Sequence, residues 1–138
     1  MRILGLDVGS KTIGAAVSDA LKMTAQGLTT IKWDENDMSS ADEKLRQIIE
    51  EYEVSEIVVG LPKHMNGLIG ERGEISTIYA NRLQRNFDLP VHLIDERLTT
   101  IAAERALLEA DVSRRKRSEV IDKMAAVMIL QNFLDKHH

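Results

Sequence analysis

The first apolar segment of this chain restricts its fold more than any other feature. The run Ile3-Leu4-Gly5-Leu6-Asp7-Val8 is short and nearly continuous, which is typical of a β-strand covered on both faces. Only the carboxylate of Asp7 interrupts it. Turn residues at 9–12 and a second apolar run at 13–18 follow, so we predict an antiparallel hairpin. The fold therefore needs layers packed on both sides of a sheet.

Later segments predict three more strands and four helices. The strands are expected at 28–33, 57–61 and 91–94, where large apolar residues cluster. Helices are expected at 40–52, at 75–87, from Thr99 or Thr100 to 110, and from Ser118 to 134, on the basis of apolar spacing and capping residues. The order β-β-β-α-β-α-β-α-α predicts the α/β class, with a mixed five-stranded central sheet and helices on both faces. A length of 138 residues fits one domain, 1–138.

The charge of the chain is distributed unevenly. Its 18 basic and 22 acidic residues give a net charge of −4, which by itself argues against a nucleic-acid partner. Residues 34–56, however, hold nine acidic and two basic residues, a net charge of −7, so the other 115 residues carry +3. A nucleic-acid partner therefore stays possible.

Composition and hydropathy exclude other classes. Cysteine is absent, which rules out disulfides, a thiolate zinc site and a cysteine nucleophile. Asp7 precedes any signal-peptide core, and no apolar run approaches the roughly 20 residues of a membrane span. We expect a soluble cytoplasmic protein with no membrane partner, a monomer or weak homodimer.

Acidic residues occupy apolar surroundings at three places. Asp7 ends the first predicted strand, Asp95 and Glu96 end the fifth, and Asp122 shares a helical stripe with apolar residues three, four and seven positions on. A buried carboxylate needs a partner or a metal. Sites in α/β sheets form at strand ends, and clustered carboxylates suit Mg²⁺ or Mn²⁺. Two such ions about 4 Å apart would support phosphodiester cleavage.

Each acid also has a structural alternative. Asp7 would cap the following turn, since aspartate favours turns. Asp95 and Glu96 would pair with Arg97 or Arg105 as a surface cluster. Asp122 would form a salt bridge. Only their joint occurrence favours a site.

Four segments, read together, resemble the YqgF family of pre-16S ribosomal RNA nucleases, also called Holliday-junction-resolvase-like proteins. The segments are Asp7-Val8-Gly9-Ser10-Lys11-Thr12-Ile13-Gly14, Val59-Gly60-Leu61-Pro62, Asp95-Glu96-Arg97-Leu98-Thr99-Thr100 and Asp122-Lys123-Met124-Ala125-Ala126. The resemblance covers essentially the whole chain. It implies a ribonuclease-H-like fold whose first three strands are antiparallel, and metal-dependent hydrolysis of nucleic acid.

The resemblance also implies the roles of individual acids. Asp7, Glu96 and Asp122 match the family's catalytic and metal-binding acids. Asp95 neighbours Glu96 on an extended strand, where adjacent side chains point to opposite faces, so Asp95 is the alternative metal ligand or a supporting group. Many ribonuclease-H-like nucleases have a further acid at the end of the fourth strand. This chain has Gly60-Leu61-Pro62 there, which leaves three acids for two ions.

Candidate nucleic-acid contacts lie near the acids. The run Arg114-Arg115-Lys116-Arg117 would contact phosphates, or it would be a solvated loop. Lys11 and Arg97 are further candidates for neutralising phosphate charge, and residues 63–67 would clamp a strand or act as a lid. His64 and His92 are expected to be surface or packing residues.

Several functions remain open at this point. The leading hypothesis is a nuclease acting on structured RNA, with pre-16S ribosomal RNA implied by the family, and a DNA-junction resolvase would use the same chemistry. A non-catalytic ribosome-assembly or transcription factor is another alternative. The Asp-Val-Gly-Ser-Lys-Thr motif also resembles the phosphate loop of sugar kinases, but those proteins need two such domains.

Overall fold

The computed structural model describes residues 1–62, 68–96 and 114–136, and for 114–122 it describes the backbone alone. Its five strands are β1 (Arg2–Val8), β2 (Thr12–Ser18), β3 (Ala25–Lys32), β4 (Val54–Leu61) and β5 (Val91–Asp95). They form one sheet in the order β3-β2-β1-β4-β5. β1, β2 and β3 pair antiparallel, whereas β4 is parallel to β1 and to β5. The predicted mixed five-stranded sheet is confirmed.

Helices cover both faces of this sheet. A short 3₁₀ helix (Met38–Ala41) precedes α1 (Asp42–Glu51), and α2 (Glu71–Phe87) and α3 (Arg114–Lys136) follow. The helix predicted from Thr99 or Thr100 lies outside the described residues. Within the described ranges, no helix is long and apolar enough to cross a membrane.

The start of the last helix differs from the prediction. We expected Ser118 to cap it, but α3 begins at Arg114, so the interpretation of the basic run as a loop is wrong for its backbone. Arginine and lysine are good helix formers. Their unfavourable interaction with the helix dipole costs only about 0.3–1 kcal/mol when exposed, which does not prevent the extra turn.

The two faces of the sheet have separate hydrophobic clusters. On one face, Leu4, Leu6 and Val8 pack with α1 and α2, and on the other, Ile3 packs with Ala126 and Leu130 of α3. Since strand residues alternate between faces, the odd-numbered residues of β1 face α3. The apolar run of β1 is thus explained by burial on both sides.

Helix α3 lies very close to β1. A Cβ added at Gly5 would lie 2.7 Å from the Leu130 Cβ and 3.2 Å from the Ala126 carbonyl oxygen. Ile129 reaches Gly60 of β4, and Lys123 packs against Gly27 of β3. Side chains of α3 therefore contact strands on both sides of β1, and glycine at position 5 permits the close approach.

Candidate active site

Asp7 is a buried carboxylate near the end of β1. It is 4% exposed and pairs with Gly14 of β2. It shares its face with Ile3 and Gly5, the face that α3 covers. The predicted strand-end acid therefore lies between the sheet and a helix rather than on an exposed turn.

Glu96 directly follows β5 and is half-buried. Its Oε1 atom would lie 2.9 Å from a Cβ added at Gly60, so the carboxylate occupies space above that glycine. Gly60 pairs with Ile94 of β5, and it follows Val59, the partner of Leu6. Continuing this parallel register places Gly60 beside Asp7. Asp7 and Glu96 thus share one face at the carboxyl ends of β1 and β5, with Gly60 of the intervening strand β4 between them.

Asp95 is the last residue of β5 and pairs with Leu61. The preceding Ile94 packs in the α3 cluster, so alternation directs Asp95 towards the opposite face. It is half-buried there. The two neighbouring acids consequently lie on different sides of the sheet.

Position 122 lies within α3, but its side chain is outside the described residues. The residues three, four and seven positions on, Ala125, Ala126 and Ile129, are all buried, and Ile129 contacts the Gly60 position. Among the side chains that the structure describes, no three histidine, cysteine, aspartate or glutamate residues lie close enough together to hold a metal. Of the three predicted acids, the structure describes the side chains of two, Asp7 and Glu96.

The chemistry of these two groups fits a hard cation. Both are carboxylates, and oxygen donors of this kind suit Mg²⁺ and Mn²⁺ rather than softer metals.

His92 stacks on Phe133 with ring centroids 5.0 Å apart. It lies near the start of β5, away from the strand ends that carry the acids, as expected for a packing residue.

The predicted phosphate contacts are described only in part. Lys11 is exposed in the turn between β1 and β2, just beyond Asp7. Arg97 and the segment 63–67 lie outside the described residues. Arg114, Arg115, Lys116 and Arg117 form the first turn of α3, and their side chains lie outside the described residues.

Two residues that the sequence did not single out contact the segment after Asp7. Arg72 donates from Nη2 to the Val8 carbonyl oxygen at 3.2 Å, and Trp33 donates from Nε1 to the Gly9 carbonyl oxygen at 2.9 Å. Arg72 also forms an ion pair with Glu35. The only available signal was weak: Trp33 is the sole tryptophan of the chain.

Comparison with known proteins is decisive for the family. Residues 1–136 match the family described as RuvX, Holliday junction resolvase. The chain belongs to the RuvX family. A RuvX-like relative from Oceanobacillus iheyensis, named "Putative pre-16S rRNA nuclease", is 68% identical over 136 residues and covers 99% of both chains. The resemblance drawn from the four motifs is confirmed.

Two of the solved structures similar to this RuvX chain are Holliday junction resolvases. Thermus thermophilus RuvC in complex with a Holliday junction has a TM-score of 0.60 at 11% identity, covering 99% of this chain and 95% of that one. The fowlpox virus Holliday junction resolvase has a TM-score of 0.58 at 15% identity, with full coverage of both. At these identities the likeness concerns the fold alone, and it confirms the ribonuclease-H-like architecture.

Proposed function

We propose that this RuvX chain is a metal-dependent nuclease that hydrolyses phosphodiester bonds in structured RNA, with the precursor of 16S ribosomal RNA as substrate. The observation that carries the proposal is the placement of Asp7 and Glu96 on one face, at the carboxyl ends of the two strands that flank β4, with the space above Gly60 between them. The name of the 68% identical relative supports the substrate.

Asp7, Glu96 and Asp122 would hold Mg²⁺ or Mn²⁺, and Asp95 is the next candidate ligand. When bound, such a cation would activate water and stabilise the leaving oxygen. The position of Asp122 supports this ligand set, because it shares a helical stripe with Ile129, which contacts the Gly60 position.

The remaining groups would bind and orient the substrate. Asp7 is buried on the sheet face that α3 covers, so bulk water competes little for its carboxylate. Lys11, exposed on the adjoining turn, would neutralise phosphate charge next to the acids. Arg97 and the run 114–117 would extend the phosphate contacts along the nucleic acid.

A four-way DNA junction is the second candidate substrate. The family description names Holliday junction resolvase, and the same acids would cleave either nucleic acid. The kinase hypothesis is not retained, because residues 1–136 match the RuvX family. A non-catalytic binding role is tested by the same assay as the two nuclease roles.

Cleavage of both substrates decides among these functions. A precursor 16S transcript and a four-way DNA junction are each incubated with Mg²⁺, Mn²⁺ or EDTA and resolved on denaturing gels. We expect metal-dependent cleavage of the RNA that EDTA abolishes. Cleavage of the junction alone would establish the resolvase, and binding without cleavage of either would refute the nuclease.

Replacing Asp7 assigns the activity to this site. Asp7→Asn keeps the shape but removes the charge, so cleavage should be lost while the protein stays folded. Its melting temperature without metal should equal or exceed that of the wild type, because repulsion among clustered acids is relieved. Asp42→Asn is the matched control, since Asp42 is a half-buried carboxylate that pairs with Arg82 at 2.7 Å, away from the site. Undiminished cleavage by folded Asp7→Asn would remove Asp7 from the mechanism.

A further inference from the structure

Side chains from elsewhere in the chain bind two successive carbonyl groups directly after Asp7. The Val8 carbonyl accepts from Arg72, and the Gly9 carbonyl accepts from Trp33. Carbonyls in an exposed turn ordinarily bond to water, which leaves the turn mobile. Here the backbone that leaves the candidate catalytic strand is bonded to two separate elements.

Arg72 is held firmly enough to act as such an anchor. It lies in the first turn of α2 and forms an ion pair with Glu35, which follows β3. A guanidinium has donors in a fixed fork, so Arg72 can bind a carboxylate and a carbonyl in one orientation. It thereby ties α2, the end of β1 and the segment after β3 together.

Trp33 holds the other end of the same turn. Its side chain is 7% exposed and lies against Tyr79, with ring centroids 4.8 Å apart. Besides the bond from its indole to Gly9, its backbone N–H donates to the Lys11 carbonyl oxygen at 3.1 Å. The turn is therefore bonded at both sides to a residue fixed in the core.

We propose that Arg72 and Trp33 are positioning residues that hold the segment from Asp7 to Lys11 in its productive geometry. The proposal rests on the nuclease function proposed above. Catalysis depends steeply on placement, and an error of about 1 Å can cost about 100-fold in rate. The hydrogen bonds from Arg72 and Trp33 to the two peptide groups after Asp7 would restrain both the buried carboxylate of Asp7 and the exposed ammonium of Lys11.

Conservative variants separate this role from general stability. Trp33→Phe keeps an aromatic ring against Tyr79 but removes the indole N–H. Arg72→Lys keeps the charge but loses the fork, and Arg72→Gln loses both. The matched control is Arg82→Gln, since Arg82 also lies on α2 and forms a part-buried ion pair, with Asp42. It has no contact with the turn among its described hydrogen bonds.

Two readouts are compared across these variants. The first is the single-turnover cleavage rate at saturating protein, together with the protein concentration that gives half of this maximal rate. The second is amide hydrogen exchange of Gly9, whose N–H donates to the Thr12 carbonyl at 2.9 Å, measured without metal or nucleic acid.

We expect the maximal rate to fall about 10- to 100-fold in Arg72→Gln and Arg72→Lys, and about 10-fold in Trp33→Phe. The half-saturating concentration should change little, and Gly9 should exchange faster. Arg82→Gln should alter neither readout. Full rescue by Arg72→Lys, with only the half-saturating concentration changed in Arg72→Gln, would make Arg72 a phosphate contact and overturn the proposal. Unchanged Gly9 exchange would also overturn it.

The outcome is distinguishable from failure of the nuclease function. A wild-type protein that cleaves neither RNA nor junction refutes the proposed function, whatever the variants do. In that case, faster Gly9 exchange in Arg72→Gln and Trp33→Phe, but not in Arg82→Gln, still supports the proposal that Arg72 and Trp33 hold the turn. Equal exchange in all four proteins refutes it.

Discussion

Replacing Gly60 by alanine, which adds one methyl group, should distinguish the effect of the Glu96 position on cleavage from the effect of packing on the stability of the fold. A Cβ there would overlap Ile129 Cδ1, lie 3.1 Å from Ile129 Cγ1 and lie 2.9 Å from Glu96 Oε1. All three atoms belong to side chains, and Ile129 Cδ1 and Glu96 Oε1 are at their far ends. Both side chains can therefore move without displacing backbone.

The expected stability cost is moderate. Overpacking a core costs about 1–3 kcal/mol, and replacing glycine by alanine in a strand returns about 0.5–1 kcal/mol. We expect Gly60→Ala to lose about 0.5–2 kcal/mol, or about 2–6 °C in melting temperature for a domain of this size. Gly5→Ala should cost more, about 3 kcal/mol, because its Cβ would lie 2.7 Å from Leu130 Cβ and 3.2 Å from the Ala126 carbonyl oxygen.

The expected loss of activity has a different pattern. Reaching an ordinary contact distance requires the Glu96 oxygen to shift by about 0.5 Å, so cleavage by Gly60→Ala should fall about 10-fold. Adding Ile129→Val removes the Cδ1 atom and relieves that overlap, but it leaves the overlap with Glu96. The double variant should therefore regain stability and stay slow.

Urea denaturation and single-turnover cleavage, measured on the same preparations, test this reasoning. Wild-type cleavage by folded Gly60→Ala would show that the Glu96 carboxylate does not act above Gly60. Recovery of cleavage together with stability in the double variant would attribute the loss to packing against Ile129. Either result would contradict the site geometry.

Three further predictions concern the acids, the basic run and a buried tyrosine. Glu96→Gln should abolish cleavage in the gel assay, whereas Asp95→Asn, on the other side of the sheet, should retain most of it. Loss of cleavage in Asp95→Asn but not in Glu96→Gln would make Asp95 the metal ligand instead of Glu96. Replacing residues 114–117 by alanine should weaken nucleic-acid binding regardless of nucleic-acid sequence and flatten its salt dependence by about 0.7–0.9 slope units per lost contact. Fluorescence anisotropy between about 50 and 200 mM salt measures this slope. An unchanged slope would show that the run binds no phosphate. Burial raises the pKa of Tyr79, so its stabilising contribution is complete below the unfolded-state pKa near 10 and declines as the pH rises above it. Tyr79→Phe should flatten that alkaline decline in denaturation curves, and an identical decline in both proteins would refute the assignment.

The strands were predictable because of where they are buried. β1, β2 and β4 are covered on both faces, so their sequences are nearly continuous apolar runs. β3 begins at Ala25 rather than at residue 28, because the edge residues Gln26 and Gly27 are exposed and carry no apolar signal. Apolar spacing likewise missed the first turn of α2, whose exposed Glu71 and Glu74 suit a helix N-terminus.

The acids of the site were easier to identify than the residues around them. A carboxylate inside an apolar run, such as Asp7, is unusual in any sequence. The Arg72 contact with Val8 spans 64 positions and the Trp33 contact with Gly9 spans 24, and no local pattern encodes such a pairing. In the sequence, Gly60 stood out only because it occupies a position where many related nucleases have an acid. The structure shows that its lack of a side chain leaves room for the Glu96 carboxylate.

Helix α3 follows every strand of the sheet that it covers. As the polypeptide leaves the ribosome from its N-terminus, all five strands emerge while the face bearing Ile3 and Val58 still lacks its cover. A nascent chain at that stage exposes apolar sheet surface, which makes it prone to aggregation and a target for chaperones. Because Asp122 is carried by the same helix, the proposed acid set is incomplete until α3 has been made. Under the proposed function, the growing polypeptide would therefore not cleave nucleic acid before α3 is made.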